Sequence, residues 1–378
     1  MKRNALLLFI FLLIPINTAI AYDYTVEPFL SLSEQYNDNI TLRNSDRISD
    51  FITYVSPGID FSVKSLNTDL KVDYFPTFSF YGSHSELNDT GHHSTANGTF
   101  ILSDRLTFAL ANTFVKSSDV EDIRALTNVG PITRLAQTTF DNAYGKGSYK
   151  LTKNLTYILG LAYSYTDQEG FTRTTTFSGN MGLAYMSSER TTYSANATFT
   201  KYYYNPGNDA TGQDYTLGVT HKLTPTVTIA AAGGVVITKV EHSGAATVDF
   251  TGGIDIKKSF ETGEVTLSYK NTVIPSIESN SPLRGQTVRL DLSKPLSKKI
   301  TTSLSSSYSN YKSIGTTTNK TDRDDIGFTT ALNYNIGPAA TLTLSYSYTN
   351  SNDKINNLGD YHNNIVFIAL RLSYSKRL

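Results

Sequence analysis

Apolar and small polar residues alternate along nearly the whole chain after residue 21, and this period of two limits the fold more than any other feature. In the segment 155–165 the odd positions carry Leu or Tyr, and the even positions carry Thr, Ile, Gly, Ala or Ser. Segments 106–114, 326–336 and 341–349 follow a similar pattern. Since successive side chains of a β-strand point to opposite faces, the pattern predicts an all-β protein whose strands have one apolar and one polar face.

The connections between these strands alternate between two lengths. Short turns, such as those near Leu66-Asn67 and Lys153-Asn154, lie between longer loops rich in Asn, Asp, Ser, Thr and Gly, which suit irregular backbone. Eight short turns and nine long loops predict an even number of strands, about 18, with both chain ends on the short-turn side. The predicted long loops are 42–50, 82–94, 118–137, 166–171, 205–212, 241–245, 276–285, 313–323 and 350–361.

A closed membrane barrel explains this arrangement better than a soluble fold does. A sandwich would bury one sheet face against another and would not alternate its turn sizes. A β-solenoid or adhesin array would need a fixed sequence repeat, which the chain lacks. The 39% hydrophobic share and the mean hydropathy of −0.24 fit a barrel, because a barrel places apolar residues only at alternate positions. The sequence therefore predicts a transmembrane antiparallel up-and-down outer-membrane β-barrel.

The N-terminus has the three parts of a secretory signal peptide. A basic start at residues 2–3 precedes an apolar stretch at 5–16, and Ala19-Ile20-Ala21 gives the small-x-small pattern of a cleavage site. We predict a signal peptide at 1–21 and a single barrel domain at 22–378; an uncleaved N-terminal anchor is the alternative. Export and the barrel pattern together predict a place in the cell outer membrane, with its lipid as the surrounding partner.

Composition and motifs exclude several classes of function. Equal numbers of basic and acidic residues, 33 of each, do not fit a nucleic-acid binder that works through a basic excess. The absence of Cys excludes disulfide scaffolds and thiolate metal sites. No phosphate-binding loop, haem-attachment motif or catalytic triad can be recognised, so the sequence predicts neither a cofactor nor an enzyme. His84 and the pair His92-His93 offer imidazole ligands, but loop histidines are usually solvated, and no metal site is predicted.

The alternation also predicts which charged residues face the lumen. Both signs occur on the polar face, which argues against strong ion selectivity, because selectivity needs a ring of one sign at a constriction. The candidate lumen-lining residues are Lys71, Asp73, Lys146, Lys222, Asp255, Lys257, Lys270, Arg289, Asp291 and Arg371.

Tyrosines near the loop ends of strands predict aromatic rings at the two membrane–water interfaces. In the run Tyr202-Tyr203-Tyr204 the alternation places Tyr203 toward lipid and its two neighbours inward, so a track of rings that guides sugars is the alternative interpretation. Three polar residues, Asn112, Lys201 and Asn271, interrupt the apolar face and mark positions near an interface or a slip in the phase.

Two segments near the N-terminus resemble a known family. The segments Glu27–Ile40 and Ser49–Ile59 are similar to the first two strands of the β-barrel porin family found beside exopolysaccharide-export and PEP-CTERM/exosortase gene clusters. The resemblance implies an outer-membrane barrel, and it implies polysaccharide and periplasmic export components as partners. In these segments Asn37-Asp38-Asn39 would cap the first strand, and Pro57-Gly58 would bend the second.

The sequence leaves two functional hypotheses of different classes. The first is a porin-like channel, as a conduit for polysaccharide export or for passive solute passage through a polar lumen. The second is a structural sleeve around a periplasmic partner, such as an electron-transfer cytochrome, whose redox chemistry would belong to the partner.

Overall fold

The protein is a single closed sheet of antiparallel strands. A computed structural model describes residues 22–119, 122, 135–241, 246–314, 320–355 and 360–377; the predicted signal peptide lies outside them. The strands are β1 Asp23–Asn37, β2 Asp50–Lys64, β3 Thr68–Tyr81, β4 Asp89–Ile101, β5 Leu106–Ser117, β6 Thr138–Lys150, β7 Leu155–Gln168, β8 Arg173–Ser188, β9 Thr191–Asn205, β10 Ala210–Thr224, β11 Val227–Val240, β12 Ala246–Phe260, β13 Gly263–Ile274, β14 Leu283–Pro295, β15 Ile300–Ser313, β16 Asp322–Gly337, β17 Ala340–Asp353, β18 Tyr361–Ser373 and the two-residue β19 Lys376–Arg377.

Every strand pairs with the next one along the chain, and the first strand closes the circle. The strand β1 pairs with β2 on one side and with β18 and β19 on the other, so β19 continues the last strand. The structure confirms the predicted all-β barrel of 18 strands. At the usual strand spacing and tilt, 18 strands enclose a backbone cylinder about 35 Å across. Within the described part of the chain, no helix is long and apolar enough to cross a membrane.

The two ends of the barrel have different connections, as the sequence predicts. Eight connections at one end contain two to four residues, and we call this the short-turn end. Nine connections at the other, the long-loop end, contain four to twenty residues. The predicted loops 118–137 and 241–245 have the observed bounds. The predicted loop 82–94 is wrong, because β4 begins at Asp89 and so includes His92 and His93. Polar residues on both faces of this strand hide the alternation.

The ladder between β2 and β3 is interrupted where two prolines face each other. Pro57 on β2 lies opposite residue 76 on β3, another proline, and the β2–β3 ladder is interrupted there. Neither proline has a backbone N–H to donate, so the interruption is expected. The missing side chain of Gly58 leaves room for the Phe29 ring, which would lie 2.3 Å from an added Cβ atom. The predicted cap is present, since Asn37 Oδ1 accepts a hydrogen bond from the Asn39 backbone N–H at 2.8 Å.

Candidate functional site: the barrel lumen

The outer face of the barrel is apolar along most strands. Directly opposed residues of neighbouring strands share a face, and the register places nearly all exposed large apolar side chains on one face. Leu161 on β7, Leu217 on β10 and Leu344 on β17 belong to it. Because a strand can lie in lipid only when all its backbone groups are paired in a closed sheet, closure and the apolar belt confirm the predicted outer-membrane barrel.

Each polar residue that interrupts this belt has a polar partner. Asn112 donates to Asp141 Oδ1 at 2.9 Å, and the Lys201 ammonium contacts the Glu241 carboxylate. Asn271 is buried and donates to the backbone oxygen of residue 250 at 2.7 Å. Asn112 and Lys201 therefore fit the predicted outward phase. Asn271 has the same outward phase but is buried, so the wall is irregular at this position.

The ten candidate lumen-lining residues share the face opposite to the apolar belt, which is the expected inner face of a membrane barrel. The register gives this placement; for example, Asp60 on β2 is directly opposite Asp73 on β3, and Ser31 on β1 is opposite Arg371 on β18. Most of the ten are exposed or half-buried and lie nearer the short-turn end. The full set on this face is Lys71, Asp73, Lys146, Lys222, Asp255, Lys257, Lys270, Arg289, Asp291 and Arg371.

Several of these inward charges neutralise a neighbour of opposite sign. Arg289 Nε lies 2.8 Å from Asp291 Oδ2, and Lys257 Nζ lies 2.7 Å from the Glu264 carboxylate. Arg371 contacts Asp60 at 2.6 Å, a carboxylate that the sequence interpretation did not single out. In this half of the lumen the wall is thus polar and solvated, with paired charges between many Ser and Thr side chains.

The inner face at the long-loop end is packed. Wall residues such as Ile52 on β2, Phe140 on β6 and Leu283 on β14 are almost fully buried. Loop residues are buried with them: Leu42 packs against Val115, Phe140 and Tyr361. Tyr361 belongs to β18, and the other two belong to β5 and β6, five and six strands away around the wall. The loop between β1 and β2 therefore reaches into the lumen.

The loop between β5 and β6 also enters the lumen through its described residues. Asp119 accepts a hydrogen bond from the Tyr54 hydroxyl of β2 at 2.5 Å, and Asp122 Oδ2 lies 3.1 Å from Nε2 of His93 on β4. Leu135 packs against the Leu42 cluster. Where these loops meet the wall, the remaining cavity is only about 10 Å³, roughly the space of one water molecule. The described ends of loop 118–137 are thus attached to the inner wall.

A third loop, between β13 and β14, lies inside the mouth. Its residues Ile277, Ser279 and Ser281 are buried. On one side the side chains of Thr172 and Asn280 form a hydrogen bond. On the other, Glu278 lies 3.5 Å from Nη1 of Arg323 on β16, whose exposed fraction is 1%. A buried arginine is costly without such a partner, so this ion pair holds the loop against the nearby strand β16.

The tyrosines of β9 are placed as the alternation predicts. Tyr203 is exposed on the outer face, whereas Tyr202 and Tyr204 point inward. Both inward rings are buried in a cluster with Ala210 and Val240. These buried rings do not line the solvated part of the lumen, so the two residues do not form a track for sugars.

The three histidines considered as metal ligands do not converge. His84 Nδ1 lies 2.9 Å from Asp50 Oδ2, His92 contacts the Tyr74 hydroxyl at 3.0 Å, and the His93 ring stacks on Phe75. In the described residues, no three His, Asp or Glu side chains are grouped to hold a metal ion. Asp50 also accepts hydrogen bonds from the backbone of residues 51, 83 and 84, so it organises the β3–β4 loop.

Comparisons with known proteins are limited to the fold. No family model matches the chain, and no curated protein matches it either. Solved structures similar to it include outer membrane protein OpdK from Pseudomonas aeruginosa, at 12% identity over 93% of this chain and 99% of that one, with a TM-score of 0.48. A BenF-like porin from Pseudomonas fluorescens is 13% identical over 93% of this chain and 99% of that one, with a TM-score of 0.49.

Proposed function

We propose that this protein is an outer-membrane channel for the passive passage of small polar solutes. The observation that carries the proposal is the contrast along the inner face. A wide, solvated wall of paired charges and hydroxyl groups at the short-turn end leads to a mouth that inward-folded loops narrow. A solute would diffuse through the polar half and meet its size limit at the loops.

The inward-folded loops weigh against the sleeve hypothesis. A barrel that surrounds a folded partner needs most of its cross-section free. Here the loops 38–49 and 275–282 place buried side chains inside the wall at one end, and the described residues of loop 118–137 contact the inner face there. A partner of cytochrome size would have to displace these contacts, so we favour a channel.

Polysaccharide export is the second candidate. The resemblance of Glu27–Ile40 and Ser49–Ile59 to the exopolysaccharide-associated porin family supports it. In that case the periplasmic export components would be the partners, and the loops would have to move for an extended polymer to pass.

Reconstitution separates these functions. In planar bilayers the purified protein is expected to give discrete conductance steps, and in liposomes it is expected to admit monosaccharides but not long oligosaccharides. Heat-unfolded protein is the control. An absence of both conductance and sugar flux would contradict a passive channel. Equal flux of a monosaccharide and a long polymer would favour the export conduit.

A further inference from the structure

The backbone ladder between two neighbouring strands, β12 and β13, ends before the strands do. The ladder between β12 and β13 runs from Phe260 opposite Gly263 to Gly252 opposite Asn271, and it stops there. Beyond that point residues 246–251 of β12 pair only with β11, and 272–274 of β13 pair only with β14. We call this unpaired stretch the seam. It lies at the long-loop end of the wall.

Two glycines stand where the ladder between β12 and β13 ends. Gly252 has a φ of +141°, and an added Cβ atom there would lie 2.2 Å from the backbone oxygen of residue 232. At the next position, Gly253, an added Cβ atom would lie 2.3 Å from the backbone oxygen of residue 269. Only glycine tolerates these positions, so the backbone conformation at the end of the ladder depends on these two residues.

Side chains cross the seam in place of ladder hydrogen bonds. Asn271 donates to the Phe250 backbone oxygen at 2.7 Å, and the Thr251 hydroxyl donates to the Asn271 backbone oxygen at 3.3 Å. Arg284 on β14 donates to Asn271 Oδ1 at 3.3 Å and to Asp249 Oδ1 at 3.2 Å. A few side-chain contacts are easier to break than a backbone ladder, because each is worth only about 1 kcal/mol net.

Apolar surfaces lie on both sides of the seam. Outside, Val248 and Phe250 of β12 are 65% and 53% exposed. Inside, Val273 of β13 packs against the buried cluster on the inner face. The members of that cluster are Tyr202, Tyr204, Ala210 and Val240. The seam thus lies between the lipid-facing belt and one of the apolar clusters inside the long-loop end.

We propose that the seam is a lateral portal that binds a single-chain amphiphile with an anionic head group and lets it pass between the lumen and the outer leaflet. The apolar chain follows Phe250 and Val273 toward the inner cluster. The head group replaces Asp249 as the partner of the Arg284 guanidinium, which suits carboxylate and phosphate oxygens. The Asn271 side chain offers a further polar contact. This role is separate from solute passage along the barrel axis.

Photolabelling tests the portal directly. The full barrel in liposomes is exposed to dodecanoic acid that carries a terminal diazirine, and labelled residues are mapped by mass spectrometry. Outward-facing residues around the belt will be labelled in any case. The portal predicts additional adducts on Tyr202 and Val240, which belong to the buried inner cluster. Labelling confined to outward-facing residues would overturn the proposal.

Matched variants test the side-chain bridge. Asp249→Asn is expected to raise interior labelling by about fivefold, because it breaks one partly exposed ion pair of the closed state and frees the Arg284 guanidinium for the head group. The control is Asp167→Asn, which removes a carboxylate 2.9 Å from Arg173 at the same end of the barrel, where the β7–β8 ladder is continuous. Heat-modifiable migration on SDS gels shows that each variant is folded. An equal change in both variants would contradict the portal.

Closure of the seam gives an independent readout. The chain has no Cys, so Asp249→Cys with Ile274→Cys, a pair on the two sides of the seam that leaves Arg284 in place, can be joined by a short bismaleimide without side reactions at other thiols. Crosslinked protein is expected to lose the interior adducts and to keep the belt adducts, whereas the uncrosslinked double variant keeps both. Interior labelling that persists after complete crosslinking would show that the amphiphile does not pass through the seam.

Discussion

The two halves of the lumen are built from the same alternating strands, but they differ in what the inner face contacts. At the short-turn end the inner side chains face water, and charges such as Arg289 and Asp291 are neutralised by neighbours on the same wall. At the long-loop end they contact loops, and residues such as Ile52 and Arg323 are buried. The difference shows that the wall fixes the diameter of the barrel, whereas the loops fix its opening.

The largest difference is expected between two inward arginines. Arg323→Ala removes a buried guanidinium and leaves Glu278 without this partner, which should lower the free energy of unfolding by about 3–5 kcal/mol. Arg289 is 53% exposed in its side chain, and Arg289→Ala should cost less than about 1 kcal/mol. Because the chain has no Trp, denaturant unfolding is followed by circular dichroism in lipid. Equal costs would mean that the mouth is not packed.

A smaller difference is expected between two inward isoleucines. Ile52→Ala creates a cavity where the side chain is 2% exposed, with an expected cost of about 2–4 kcal/mol. Ile158 lies half-buried on the inner face of β7, and its truncation should cost clearly less. The same unfolding experiment compares the pair. A larger cost at Ile158 would reverse the assignment of the packed and solvated halves.

A single hydroxyl tests how the β5–β6 loop is attached. Tyr54→Phe keeps the buried ring and removes the hydrogen bond to Asp119, at an expected cost of about 1–2 kcal/mol. The loosened loop should increase the current noise of single channels. Tyr203→Phe, on the outer face, is the control and should leave the noise unchanged. Quiet currents in Tyr54→Phe would show that this bond does not hold the loop.

The smallest effect is expected from single inward charges at the short-turn end. Lys222→Ala should shift the reversal potential in a salt gradient by only a few mV, about what one charge in a wide mixed-charge lumen contributes. Lys153→Ala, in a short turn outside the lumen, is the matched control. A strong change of ion preference with Lys222→Ala would identify a constriction in the half that we describe as open.

The fold could be predicted from the sequence because its cause is local. The period of two gives the strands, and the alternating connection lengths give their number and direction. The strand β4 was partly missed, because His92 and His93 stand among polar residues on both faces. The predicted inward phase of Tyr202 and Tyr204 agrees with the structure, but their burial depends on distant contacts that no strand pattern contains.

The narrowed mouth and the seam could not be predicted in this way. Ile40, Leu42 and Ile277 are isolated apolar residues in polar loops, and this was the one available signal that the loops fold inward. The seam depends on the register between β12 and β13. The pair Gly252-Gly253 marks its position in the sequence, but a glycine pair alone does not show which neighbouring strand separates.

Single-channel conductance of a loop-shortened barrel tests the central claim most directly. In this variant a short Gly-Ser linker replaces residues 123–134, so that the loop keeps Asp119, Asp122 and Leu135, which contact the inner wall, and loses its middle. If the loops set the opening, the conductance should rise by about twofold or more over the intact protein at equal salt, since current follows the free cross-section. An unchanged or lower conductance in a folded, heat-modifiable variant would contradict the account.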